Sequence, residues 1–129
     1  MSEPPTLNRI GQIAVYVKDL DRAVAFYRDT LGMPFLFQAP PGLAFFNCSG
    51  VRLMLDRPEP GSDEAAMGTS ILYYRVADID AAYAHFKGKG VAFTDAPHKI
   101  ADMPDHQLWM AFFKDSEGNV LALMAEKRP

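Results

Sequence analysis

The sequence predicts an α+β fold made from two copies of one strand–helix–strands unit. Three observations carry this. The stretch RIGQIAVYVKDLDRAVAFYRDTLGMPFL (Arg9 to Leu36) shares its plan with Thr69 to Thr94: an apolar strand, an acidic residue, an amphipathic helix, then glycine and another apolar run. The helix openings KDLDRAVAFY (Lys18 to Tyr27) and ADIDAAYAHF (Ala77 to Phe86) match each other. So do the endings AFFNCSGVRLML (Ala44 to Leu55) and AFFKDSEGNVLAL (Ala111 to Leu123). Two units make a pair rather than a long array. At 129 residues they form one domain, with unit one at about 7–57, an acidic linker at about 58–68 and unit two at about 69–126.

Residues 1–8 form a polar lead with two prolines. Ile10 to Val17 reads as a strand, with Gln12, Ala14 and Tyr16 on one face and Ile13, Val15 and Val17 on the other. Asp19 or Asp21 can cap the following helix, whose apolar stripe is Leu20, Ala23, Val24, Tyr27 and Leu31. Gly32 stops it, with Pro34 beyond. Three short strands follow: Phe35 to Ala39, broken by Pro40-Pro41-Gly42; Leu43 to Cys48; and, after the Ser49-Gly50 turn, Val51 to Asp56. Arg57 to Met67 is rich in turn formers and acids and separates the units.

Unit two opens with a strand from Ser70 to Val76. Its helix carries Ile79, Ala82, Tyr83 and Phe86 and ends near Gly88 and Gly90, with His85 solvated. Val91 to Thr94 is a short strand and Asp95 to Asp105 a long excursion. Strands Leu108 to Lys114 and Val120 to Ala125 flank the turn DSEGN.

Nearly half the residues are hydrophobic, enough for a sizeable core. A net charge of -3 with both signs interspersed argues against nucleic acid as a partner. Cys48 stands alone, which excludes an internal disulfide and a cysteine-based zinc site. The start MSEPPTLNR lacks the pattern of a signal peptide, and no apolar run reaches membrane-spanning length. The expectation is a cytoplasmic protein with no membrane partner.

VKDLDRAVAFYRDTLGM (Val17 to Met33) and FFKDSEGNVLAL (Phe112 to Leu123) resemble the vicinal oxygen chelate superfamily, which includes glyoxalase I, bleomycin-resistance proteins and extradiol dioxygenases. The resemblance runs from about Leu7 to about Glu126. It implies βαβββ units whose mixed sheets curl into cups with helices outside. It also implies, in metal-dependent members, one ligand on the first strand and one on the last strand of each unit. A divalent metal held there by His, Glu or Gln polarises vicinal substrate oxygens as a Lewis acid.

Transferred residue by residue, the first-strand ligand lies seven positions before the acid that opens the helix, which is Gln12 before Asp19 and Ile71 before Asp78. The last-strand positions hold Met54 and Ala122. One weak donor in four cannot hold a catalytic metal, and a one-residue slip would turn the side chain to the other face. A standard metal-dependent glyoxalase I or extradiol dioxygenase mechanism is therefore disfavoured, and no metal and no cofactor are expected.

The inner face of the cup is then expected to carry Gln12, Ala14, Tyr16, Met54, Ile71, Tyr73, Ala122 and Met124, with Arg52, Asp56 and Arg75 at its rims. Such residues suit either a packed core or a ligand pocket, and the family's open cup favours the pocket. The excursion from Asp95 reads as a lid holding His98, His106 and, at its end, Trp109. Each histidine can act as an acid/base group or ligand partner, or belong to a plain surface turn. Candidate ligand contacts are thus Gln12, Tyr16, Arg52, Met54, Ile71, Tyr73, Arg75, His106, Trp109 and Ala122, with His98 and His106 as catalytic candidates. Two functions fit. One is a metal-independent protein that binds a small, partly aromatic or amphipathic molecule. The other is an enzyme (lyase, isomerase or ring-cleaving) that uses loop histidines or an unusual metal site. The resemblance further implies a homodimer with cups built between unit one of one chain and unit two of the other, with pairing of the units inside one chain as the alternative.

Overall fold

The computed structural model describes residues 10–58 and 70–129. The polar lead and most of the acidic linker lie outside them. Two sheets form. The first has strand order β1-β4-β3-β2, from β1 (Gln12–Tyr16), β2 (Phe35–Ala39), β3 (Leu43–Cys48) and β4 (Val51–Asp56). The second runs β5-β9-β8-β6, from β5 (Leu72–Arg75), β6 (Ala92–Phe93), β8 (Gln107–Lys114) and β9 (Val120–Lys127), with β7 (His98–Asp102) also paired to β8. In each sheet the first strand lies parallel to the last, β1 on β4 and β5 on β9, and the other pairings are antiparallel. The two βαβββ units and their mixed sheets follow the predicted plan.

Both helices start where the acids predict. Asp19 caps α1 (Leu20–Ala25) by accepting from the Arg22 N–H at 3.0 Å. Asp78 caps α2 (Ile79–Gly88) by accepting from the Ala81 N–H at 3.1 Å. The caps satisfy amide groups that have no partner inside the helix. Helix α1 continues as a π turn over Phe26–Thr30, closed by the Leu31 N–H to the Phe26 carbonyl at 2.9 Å. That widening is invisible to a 3.6-residue periodicity, yet the whole predicted stripe still meets the core. Gly32, at φ +73°, then turns the chain away in a conformation that L side chains resist.

One core joins the two units. Tyr27, Phe46 and Leu55 of unit one and Ile79, Phe113 and Leu121 of unit two are its largest fully buried side chains. They lie between the helices and the helix-facing side of each sheet. Odd positions of β9 (Leu121, Leu123, Ala125) and the odd positions Ala111 and Phe113 of β8 are buried there, as alternation requires.

The β8–β9 turn, residues 115–119, straps unit two onto unit one. The Glu117 side chain is 1% exposed and accepts from the backbone N–H groups of Lys18 (2.9 Å) and Asp19 (2.8 Å) and from Arg22 Nε (2.7 Å). Burial pushes the Glu117 carboxyl upward, but the Arg22, Asp19, Ser116 and Lys18 donors outweigh it and hold it at about 2. Buried Asp115 accepts the Tyr27 hydroxyl at 2.8 Å and three N–H groups of its own turn. Asn119 donates to the Tyr16 carbonyl at 2.9 Å, which fixes the end of β1.

Three expectations change. Strands β1 and β5 are shorter than their apolar runs, because only Gln12–Tyr16 and Leu72–Arg75 find a ladder partner. Strands β8 and β9 are longer, because they pair over their whole length. The excursion after Asp95 is not a loose lid. His98–Asp102 pairs antiparallel with β8 through a bulge between Lys99 and Ala101, so backbone groups expected to meet water are bonded within a sheet.

Candidate functional site

Each sheet presents the face opposite its helix as an open concave surface. In unit one, register sets a row across four strands: Ala14 beside Met54, Met54 beside Phe45, and Phe45 beside Phe37. A second row sets Gln12 beside Arg52 and Arg52 beside Asn47. A third sets Tyr16 beside Asp56. In unit two the corresponding rows are Tyr73, Ala122 and Phe112, then Arg75, Met124, Met110 and His98. The predicted inner-face residues Gln12, Tyr16, Arg52, Met54, Tyr73, Arg75 and Ala122 therefore share the concave faces, by strand alternation. Ile71, next in line before β5, is exposed at its mouth.

Trp109 departs from the expectation. It lies on the opposite face of β8, packed against the core, with the Lys127 ammonium 3.9 Å from its ring centroid. The position is odd where the concave residues Met110 and Phe112 are even, so reading the excursion as a lid obscured it. Sequence reasoning also missed Phe37, Phe45, Met110, Phe112 and Glu126. The signal was present for Phe45, Met110, Phe112 and Glu126, which alternation along β3, β8 and β9 puts on the concave face. It was not present for Phe37, which shares parity with core-packed Phe35 and is turned over by the register shift between them.

The two faces differ in chemistry. Unit one is aromatic, with Phe37 and Phe45 rings 4.7 Å apart and Arg52 lying 5.6 Å from the Phe45 centroid. The Gln12 amide reaches only the weak Met54 sulfur acceptor, at 3.7 Å. Unit two instead ends in a charged cluster. Arg75 pairs with Glu126 at 3.1 Å, and Arg128 with Glu126 at 2.7 Å and Asp105 at 2.8 Å. His106 is half-buried, and its Nδ1–H donates to Asp105 at 2.7 Å. Its Nε2 stands 4.0 Å from Glu126, beyond a hydrogen bond. Arg128 first and His106 second hold the Asp105 carboxyl down to about 2. An open hollow of about 340 Å³ lies beside this cluster, between residues 102–107 and 127–129. His98 sits on β7 with Nδ1 at 2.9 Å from the Ala96 carbonyl, apart from His106.

The family's metal positions do not fit a metal. Met54 and Ile71 offer no hard donor, Ala122 is fully buried and has none, and Gln12 alone is insufficient. Among the described residues no three His, Cys, Asp or Glu side chains gather to form another such site. No helix among them is long and apolar enough to cross a membrane.

Comparison with known proteins agrees with the geometry. The chain is 28% identical to the uncharacterized protein YurT of Bacillus subtilis, over 90% of this chain and 98% of that one. It superposes on a lactoylglutathione lyase from Agrobacterium tumefaciens with a TM-score of 0.76 at 25% identity, covering 95% of each chain. It also superposes on TnmS3, an antibiotic binding protein from Streptomyces sp. CB03234, with a TM-score of 0.72 at 25% identity, covering 96% of this chain and 100% of that one. The profile of the Glyoxalase/Bleomycin resistance protein/Dioxygenase superfamily matches residues 9–123, and with both units of its fold in place the chain belongs to that superfamily.

Proposed function

We propose that this protein binds a small, partly aromatic or amphipathic molecule on its concave faces without a metal. The observation that carries the reading is the donor set. Where metal-dependent relatives need hard ligands, this chain has Met54, Ile71 and Ala122, and around them lie aromatic and methionine side chains suited to burying an apolar ligand. Similarity to an antibiotic binding protein points the same way.

The cup is completed by a second copy, unit one of one chain facing unit two of the other. In the single chain the turn at residues 115–119 and the shared core hold the units by their helix-side surfaces, while Tyr16, Ile71 and Tyr73 stay 37%, 40% and 45% exposed on the concave side. Large apolar groups left in water favour association. Sedimentation should show a dimer at micromolar concentration, and a monomer would count against this assembly.

Ligand-induced melting shifts across a metabolite and antibiotic panel test the binding reading. A hit should lose its shift in Met54→Glu, which puts a charge in the apolar row. An unchanged shift would move the site elsewhere. A second reading, an enzyme acting through His106, draws on the Asp105 hydrogen bond that leaves Nε2 available as a base. A hit that is turned over by wild type and not by His106→Ala would favour it.

A further inference from the structure

We propose that the concave face of unit one selects an aromatic ligand carrying one negative charge, with Arg52 reading the charge and Phe37, backed by buried Phe45, receiving the ring. The proposal rests on the binding reading above and names the ligand class for that site. Four observations meet here.

The first is an uncompensated cation. Arg22, Arg28, Arg75 and Arg128 each pair with a carboxylate within 3.1 Å. Arg52 and Arg57 have no such partner among the described residues, and of the two Arg52 stands on the strand face beside an aromatic ring, that of Phe45. Asp56, the acid on the same face of the same strand, is four residues on, about 13 Å away at strand rise. Secondly, the Arg52 guanidinium, 5.6 Å from the Phe45 centroid, keeps its N–H fork free, and that fork matches a carboxylate bidentately. Thirdly, Gln12 lies beside Arg52 in register, and its amide N–H meets only a thioether. It can add a hydrogen bond to the same oxygen pair. Lastly, Phe37 is 47% exposed and leans on Phe45 at 4.7 Å and 32°, so an aromatic surface stands open within the same face as the cation. Unit two lacks this combination, because its Arg75 already meets Glu126.

The test compares two probes of equal shape, 1-naphthoate and the neutral 1-naphthamide, titrated against full-length protein with backbone and side-chain amide shifts recorded by NMR. The expected result is naphthoate binding at least tenfold tighter, with shifts at the Gln12 side chain and along β1, β3 and β4. Arg52→Gln should abolish the preference, and Arg52→Lys should keep only part of it, because an ammonium lacks the fork. Equal affinity for both probes would overturn the charge reading and leave the binding reading standing. An undiminished preference in Arg52→Gln would overturn the role of Arg52. No shift in unit one with either probe would overturn both readings. If Arg52→Gln instead weakens self-association in sedimentation with naphthoate affinity unchanged, Arg52 answers an acid of the second copy and the proposal fails.

Discussion

The two β-hairpin turns that close the units occupy equivalent places and behave differently. In unit one, Asn47 to Gly50 is a tight turn that bonds mainly to itself, through the Gly50 N–H to the Asn47 side chain at 2.9 Å. In unit two one extra residue, Glu117, converts the same turn into the strap across the units. The helix partners differ in step. Tyr27, eight residues after the Asp19 cap, donates to Asp115, whereas Phe86, eight after Asp78, has nothing to donate. Conversely, the Tyr74 hydroxyl is buried beside Cys48 without a hydrogen-bond partner among the described residues. Duplicated units thus share their packing, while polar contacts between them are concentrated on one side of the pseudo-symmetric pair.

The largest loss is expected at Glu117. Glu117→Ala leaves Arg22 without its partner and the Lys18 and Asp19 amides unsatisfied, and should cost about 3 kcal/mol in denaturant unfolding. Ser49→Ala, in the equivalent turn, should cost less than about 0.5 kcal/mol. A similar loss in both would show that the strap carries no special share of stability.

Acid acts on the same group. The Glu117 carboxyl titrates below its ordinary 4.5, so the folded state favours the ionised form. This contribution is fully present above pH 4.5 and lost as pH falls toward about 2. Urea midpoints between pH 5 and 2.5 should fall more steeply for wild type than for Glu117→Gln.

Two tyrosines should differ in the sign of their effect. Tyr27→Phe should destabilise by about 1.5 kcal/mol, because buried Asp115 loses one of its four donors, the one that comes from unit one. Tyr74→Phe should be neutral or stabilising by up to about 1 kcal/mol, because it removes a buried hydroxyl that has no partner among the described residues. Equal losses from both would mean that Tyr74 has found a partner, a water molecule for instance. The smallest change is expected from Arg52→Gln, within about 0.5 kcal/mol, since Arg52 is exposed and lies on a ring.

Most of the fold was legible because it is periodic and said twice. Strands β2, β3 and β4 match their predicted limits, where turns end them, and Asp19 and Asp78 cap as acids before apolar helices do. The π turn was not legible, since it changes hydrogen bonding without changing the apolar stripe. Nor was β7, because its sequence, HKIAD, has no clean alternation and acquires its strand from β8. The concave residues of β1, β4 and β5 followed from alternation. The Arg75–Glu126–Arg128–Asp105–His106 cluster joins residues distant in sequence through pairing of β5, β9 and β8, which no local pattern encodes.

Trp109 has an optical consequence. It is the one tryptophan of the chain, with an ammonium over its ring and its indole N–H donated to Gln107 at 3.1 Å. Its emission therefore reports on the end of β9, where Lys127 also meets Asp80 at 2.9 Å, and not on the aromatic face of unit one. A ligand seated on Phe37 and Phe45 should leave the intrinsic fluorescence unmoved, while fraying of the last strand, which withdraws the charge from the indole, should shift its colour before the bulk of the protein unfolds.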